Sequence, residues 1–268
     1  MNKILITSGC SFSTVGKNRR NIITWPTHLF DILNNHGYDK HVSSAMPSQG
    51  NGLISRSIFY EITEALKIYK PEDILVGVMW SHSNRFDYRC EDPSLLSWSK
   101  YFNKDANNES SDVMSKESSI NPRSFVKNAS RNWVIGNIHL PAEEITTYLK
   151  YYYSEIGSSI LSLEHILRLQ YFLQLKKIPY FFTDYIDNNI VGNNKEDIEL
   201  QYLLSEVNRD NYLPITSMAG WVTNNSDTKE AYIASNLNPN HAAHPITEQH
   251  KEFTDKIIYP WLTQKNYI

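Results

Sequence analysis

Residues 74–80 read ILVGVMW, an unbroken apolar run that follows Pro71-Glu72-Asp73 and precedes the polar stretch SHSNR at 81–85. A run of this length without alternation is typical of a central strand in a parallel sheet, because both faces of such a strand are covered. A short apolar run at 3–7, a segment at 38–43 and a further run at 178–183 predict three more strands.

Helical patterns separate these strands. Apolar residues recur at helical spacing from Thr24 to Gly37, from about Gly52 to Tyr69 and from Ile156 to Lys177, and a final helix is predicted from about Thr247 to Leu262. This alternation predicts an α/β fold, a three-layer α/β/α sandwich with a mostly parallel sheet. Ligands of such sheets bind at the carboxyl ends of the strands.

The composition excludes several classes of function. The 268 residues include 26 Lys and Arg against 29 Asp and Glu, so no basic surface is expected and no nucleic-acid partner is predicted. Cys10 and Cys90 lie far apart, without the spacing of a zinc cluster or a disulfide framework. No signal peptide or membrane span is evident, which predicts a cytoplasmic protein without a membrane partner. Assembly into a larger particle such as a virion needs no signal.

Polar loops after the strands at 3–7 and 74–80, and before the helix at 52–69, are expected to meet at one edge of the sheet. Ser11 lies in a Gly-Cys-Ser turn after the first strand, where N–H groups can face a developing oxyanion. A serine nucleophile needs a histidine from elsewhere in the chain to accept its proton. The His-Pro loop at 244–245 is a candidate source of that histidine.

Four stretches in order resemble the four blocks of the SGNH/GDSL hydrolase superfamily: GCSFS at 9–13, PSQGNGLISR at 47–56, MWSHSNR at 79–85 and HPITEQH at 244–250. The resemblance is nearest to the divergent form of phage and bacterial proteins in which the first block reads GCSF. It implies a flavodoxin-like sheet and a serine esterase without a cofactor or metal. The implied substrate is an acyl or acetyl ester of a small molecule or a carbohydrate.

The first and last blocks imply the reacting residues. Ser11 matches the nucleophile, whose own N–H also contributes to the oxyanion hole, and His244 matches the general base that later returns the proton. The family's orienting aspartate would stand three residues before this histidine, where this chain has His241. His241, Asn240 or a backbone carbonyl could accept the Nδ1–H hydrogen bond instead and leave a Ser-His dyad.

The middle blocks imply the oxyanion donors. Ser48 stands where the family has a glycine N–H donor, Gly50 lies two residues further on, and Asn51 matches a later asparagine of the pattern. For the donor side chain of the third block, Asn84 is one position beyond the simplest alignment. Ser81 and Ser83 are the alternatives, and Arg85 could add positive charge.

Simpler interpretations accompany each of these assignments. Ser11 could cap the following segment, the turn before the second helix and Asn84 could be ordinary turn features, and Cys10 could replace Ser11 as the nucleophile. His241, His244 and His250 could bind a metal, although Pro245 argues against the helix that this spacing would need. The functional alternative is a binding or structural protein that retained the fold, for instance within a virion. A third option is transfer of another acyl group, such as a thioester.

The segment from about 86 to 150 lies outside the resemblance. It contains KDANNESSDVMSKESSINPRS at 104–124, which is polar and lacks clear periodicity, so we predict an insertion or lid. Because Ser11 and His244 stand near opposite ends of the chain, both ends must contribute to one site. The sequence therefore predicts a single domain over 1–268 that contains this insertion.

Overall fold

The computed structural model describes residues 2–15, 22–89, 133–137, 143–187, 196–236 and 244–268. Its main sheet contains four parallel strands in the order β2-β1-β3-β6, and a separate antiparallel ribbon pairs β4 with β5. The strands are β1 (Lys3–Ser8), β2 (Tyr38–Ser43), β3 (Ile74–Trp80), β4 (Arg85–Arg89), β5 (Trp133–Asn137) and β6 (Tyr180–Asp184). The parallel sheet confirms the predicted α/β class.

Helices surround the main sheet. In chain order they are α1 (Trp25–Leu33), α2 (Asn51–Ala65), α3 (Glu143–Tyr151), α4 (Glu155–Lys176), α5 (Ile198–Ser205), α6 (Met218–Asn225), α7 (Lys229–Asn236), α8 (Thr247–Phe253) and α9 (Tyr259–Gln264). None of these helices is long and apolar enough to cross a bilayer.

Two apolar cores lie on opposite faces of the sheet, because successive strand residues point to opposite sides. One core joins Val76, Val78 and Phe182 to apolar residues of α2, α4 and α5. The other joins Leu75 and Phe181 to apolar residues of α1, α6, α8 and α9. The complete burial of β3, which the unbroken run at 74–80 predicts, follows from this double cover.

The strand order places a topological switch between β1 and β3. The chain leaves β1 toward β2 on one side of it, returns to β3 on the other side, and continues outward to β6. Open α/β sheets bind ligands at the carboxyl edge beside such a switch point, so a ligand site is expected near the loops that follow β1 and β3.

Two features were not expected from the sequence. The stretch between β6 and the His-Pro loop, which shows no clear pattern, contains the short helices α5, α6 and α7. The predicted final helix is divided by a π-helical segment at Thr254–Ile258, directly before α9. Pro260 explains this division, because proline cannot donate the hydrogen bond that would continue a regular helix.

The segment predicted as a polar insertion at 86–150 has regular structure at both of its ends. β4 and β5 pair from Arg85–Asn137 to Arg89–Trp133, and α3 follows. Residues 90–132 and 138–142, including Cys90, lie outside the described residues.

Gly77 lies in the middle of β3 and faces the second core. A Cβ at this position would lie 2.6 Å from Phe181 Cζ and 3.2 Å from Trp25 Cη2. The rings of Trp25 and Phe181 pack edge to face, with centroids 5.8 Å apart. These two rings fill the space that a side chain at position 77 would need.

Gly77→Ala is expected to lower the free energy of unfolding by about 1–3 kcal/mol, because the added methyl group overpacks the core. Urea denaturation measures this change. Gly157→Ala is the matched control: its new Cβ would meet no atom nearer than 3.5 Å, and alanine favours the helix. Equal stability of Gly77→Ala and the wild type would contradict the packing described here.

Candidate active site

The loops that follow β1, β2, β3 and β6 lie together at the carboxyl edge of the sheet. The N–H of Ser44 donates to Thr7 O and the N–H of Met46 donates to Gly9 O, so the loop after β2 runs beside the loop after β1. The N–H of Tyr185 donates to Trp80 O, which joins the ends of β6 and β3.

Ser11 and His244 are in direct contact although 233 positions separate them in the sequence. Ser11 Oγ lies 2.7 Å from His244 Nε2, a hydrogen-bond distance in a partly buried setting. With His244 neutral and protonated on Nδ1, the serine hydroxyl is the donor and Nε2 the acceptor. This is the geometry that general-base activation of a serine requires.

The Ser11 turn is held tightly against β3. Ser11 begins a 3₁₀ turn at Ser11–Ser13, in which the N–H of Ser13 donates to Cys10 O and Thr14 Oγ1 donates to Ser11 O. A Cβ at Gly9 would lie 2.8 Å from Met79 O, so only glycine permits this approach. Cys10 is fully buried in the second core. His244 is hydrogen-bonded to Ser11 Oγ, which favours Ser11 over Cys10 as the candidate nucleophile.

His244 is positioned by the loop that begins α8. Thr247 Oγ1 accepts the N–H of Ile23 at 3.0 Å, and His250 Nδ1 accepts the N–H of Trp25 at 3.3 Å, which ties α8 to the start of α1. The ring of Phe12 packs against the His244 ring, with centroids 4.9 Å apart. His241 and Asn240, the candidate partners of Nδ1, lie outside the described residues.

The turn before α2 distinguishes the two candidate backbone donors. Ser48 has a φ of 64°, a left-handed conformation that favours glycine. Its N–H donates no hydrogen bond to any described residue. The N–H of Gly50, in contrast, donates to Asp87 Oδ1 at 2.9 Å. Ser48 is therefore the candidate whose N–H is available to an oxyanion.

Asp87 is a site residue that the sequence analysis missed. It lies on β4, and its second oxygen accepts the N–H of Leu53, so its carboxylate caps α2 in place of an N-cap side chain. Burial raises the pKa of Asp87, and the hydrogen bonds from Gly50 and Leu53 partly oppose that shift. An aspartate inside a strand carries no sequence signal for such a role.

Asn51 and Ser81 tie α2 to the end of β3. Asn51 Oδ1 accepts the N–H of Ser81 at 2.7 Å, while Asn51 Nδ2 donates to Ser81 O at 3.0 Å and to Ser162 Oγ at 3.2 Å. Both side chains are buried. Their hydrogen bonds give them a positioning role beneath the edge of the sheet.

Asn84 lies in the turn after β3, which closes through a hydrogen bond from the N–H of Arg85 to His82 O. Its backbone N–H donates to His82 Nδ1, and its half-buried carboxamide makes no hydrogen bond with any described residue. Asn84 therefore has an available side-chain donor, whereas Ser81 Oγ accepts a hydrogen bond from Arg85. Within the described ranges, no group of three or more His, Cys, Asp or Glu residues is arranged to hold a metal ion.

Two histidines near this edge are buried as neutral rings. Burial lowers the pKa of His41 from 6.5 to about 3, and the ring is hydrogen-bonded to Thr7 Oγ1. Burial, with smaller contributions from His28 and His244, lowers the pKa of His250 to about 3 as well. At pH values between about 3 and 6.5, these two histidines are therefore protonated in the unfolded chain and neutral in the folded chain.

Stability is expected to fall as the pH is lowered from 7 to 5. Each buried histidine is expected to lower the free energy of unfolding by about 2 kcal/mol between pH 7 and pH 5, because its ring binds a proton in the unfolded chain but not in the folded chain. Urea denaturation at both pH values measures the loss, and His41→Asn should reduce it. An unfolding free energy that is the same at pH 7 and pH 5 would contradict the burial of neutral rings.

Comparison of the chain with protein-family models finds none that matches, and comparisons with curated proteins and with solved structures find no match either.

Proposed function

We propose that the chain is an SGNH-type serine hydrolase that cleaves ester bonds through an acyl-serine intermediate. The observation that carries the proposal is the 2.7 Å distance between Ser11 Oγ and His244 Nε2 at the carboxyl edge of a parallel sheet. The order of the four sequence blocks supports the proposal through the family resemblance. The strand order β2-β1-β3-β6 supports it because the resemblance implies a flavodoxin-like sheet.

In the first half-reaction, Ser11 Oγ attacks the ester carbonyl carbon while His244 Nε2 accepts the hydroxyl proton. The oxyanion receives hydrogen bonds from the N–H groups of Ser11 and Ser48 and from the carboxamide of Asn84. The carbon–oxygen bond to the alcohol then breaks, and imidazolium returns the proton to the departing oxygen. An acyl-serine and a free alcohol result.

In the second half-reaction, His244 accepts a proton from water as the water oxygen attacks the acyl carbon. Collapse of this tetrahedral intermediate returns the proton to Ser11 Oγ and releases the carboxylic acid. The proposed substrates are acyl or acetyl esters of small molecules or carbohydrates. The absence of disulfide or zinc spacing around Cys10 and Cys90 fits a reducing compartment, so we place the enzyme in the cytoplasm or in a particle assembled there.

The hydrogen bonds of the middle blocks favour one set of oxyanion donors. Gly50, Asn51 and Ser81 use their polar groups within the protein, whereas the backbone N–H of Ser48 and the carboxamide of Asn84 bond to no residue that the structure describes. Ser48 and Asn84 therefore replace Gly50 and Ser81 as our preferred donors. Asn51 retains the role of fixing α2 against β3.

Ser11→Ala and His244→Ala are each expected to lower kcat/KM for 4-nitrophenyl acetate by about a thousandfold or more, because the two residues act as one unit. The double variant should lose no more than either single variant. Release of 4-nitrophenol measures the rate.

Ser205→Ala provides the matched control, since the exposed Ser205, at the end of α5, donates its Oγ–H to Tyr202 O. It should retain full activity. Absence of Ser11-dependent turnover with acetyl, butyryl and thioacetyl esters would overturn the hydrolase proposal and favour a binding or structural protein with this fold.

A further inference from the structure

Arg85 is held in a fixed position at the candidate active-site edge. One guanidinium nitrogen donates to Ser81 Oγ at 2.9 Å and the other terminal nitrogen donates to Tyr185 OH at 3.3 Å. Its Cζ lies 4.7 Å from the centroid of the Tyr185 ring. Contacts from the ends of β3 and β6 therefore orient the guanidinium, and Ser81 is itself fixed by Asn51.

A chain of ring contacts connects Arg85 to the reacting pair. The ring of Tyr185 packs edge to face against Phe12, with centroids 5.1 Å apart, and Phe12 also packs against the ring of His244, with centroids 4.9 Å apart. Phe12 directly follows Ser11 in the same 3₁₀ turn. Arg85 therefore lies at the same edge as Ser11 and His244, and the rings of Tyr185 and Phe12 connect it to them.

The charge of Arg85 is not neutralised by an ion pair with any described residue. Asp87 is the carboxylate whose ionisation Arg85 favours, but its two oxygens accept the N–H groups of Gly50 and Leu53. Arg85 is half-buried, where a cation without a directly bonded anion is unfavourable. A guanidinium whose remaining N–H groups bond to no described residue is suited to bidentate binding of a carboxylate or phosphate.

We propose that Arg85 binds an anionic group of the ester substrate, a carboxylate or a phosphate, and so selects charged esters over neutral ones. This inference rests on the proposed function, because it specifies what the Ser11–His244 pair cleaves. Tyr185 and Ser81 act as positioning residues that hold the guanidinium toward the bound ester. The anionic group can stand on the acyl part or on the alcohol part, and the substrates below distinguish these two placements.

Matched ester pairs test the selection. Mono-4-nitrophenyl succinate and its neutral methyl ester differ in the charge of the acyl part. 4-Acetoxybenzoate and its methyl ester differ in the charge of the alcohol part. We expect kcat/KM of the wild type to be about 10- to 100-fold higher for the charged member of one pair. Arg85→Gln should abolish this preference, so that the charged and the neutral member of each pair are cleaved at similar kcat/KM.

Arg209→Gln is the matched control. Arg209 also lies over a tyrosine, with its Cζ 5.3 Å from the Tyr212 ring centroid. It belongs to the 3₁₀ turn Arg209–Asn211, and Asn211 Nδ2 donates to Tyr180 O. Tyr180 begins β6, so this turn is bonded to the end of the strand opposite the candidate active site. This variant should keep the wild-type preference. A wild type that cleaves both members of each pair equally, or that prefers the neutral ester, would overturn the inference while leaving the hydrolase intact.

Direct binding separates failure of this inference from failure of the proposed function. Ser11→Ala cannot form the acyl-serine, so calorimetry of this variant with succinate and with inorganic phosphate measures anion binding alone. We expect binding that the further change Arg85→Gln removes and Arg85→Lys weakens. If neither anion binds to Ser11→Ala, Arg85 is a structural brace, and the inference is wrong even if ester hydrolysis is found.

Discussion

β1 pairs in parallel with β3 along most of its length, from Ile4–Ile74 to Ser8–Val78, at the centre of the four-stranded sheet. This pairing places the loop that carries Ser11 beside the turn that carries Asn84. It also creates the switch point, since the chain reaches β2 on one side of β1 and β3 on the other. The C-terminal part then completes the site, because α8 packs against α1 and delivers His244 to Ser11.

Several polar groups beneath this edge bond to one another rather than to regular caps. The first turn of α2 has no N-cap side chain of its own, and the carboxylate of Asp87 accepts its N–H groups from the neighbouring ribbon. Asn51 satisfies both backbone groups of Ser81, and Ser81 Oγ in turn holds Arg85. Buried polar networks of this kind are costly when incomplete, so they fix the relative positions of α2, β3 and β4.

Much of the fold follows from local sequence pattern. The run at 74–80 is β3 to the residue, because burial of a strand on both faces leaves a strong apolar signal. The predicted strand at 38–43 is β2, an edge strand of mixed polarity. The short helices between 198 and 236 leave no such signal. Each is eight residues long, and tertiary contacts rather than helical periodicity stabilise elements of that length.

The candidate site likewise has a part that the sequence predicts and a part that it does not. Ser11 and His244 are predictable because a serine nucleophile needs a histidine, and the order of the blocks indicates which one. The choice between Ser48 and Gly50 is not predictable, because it depends on which backbone N–H is already bonded, and that bond comes from Asp87, 37 positions away from Gly50. Long-range hydrogen bonds of this kind have no counterpart in local spacing.

Activation of Ser11 by His244 is the central claim, and covalent labelling tests it most directly. After treatment with a fluorophosphonate, peptide mass spectrometry should locate one adduct on Ser11, and His244→Ala should slow its formation by at least about a hundredfold. An unlabelled Ser11, an adduct on Cys10, or labelling that proceeds equally fast without His244 would contradict the account.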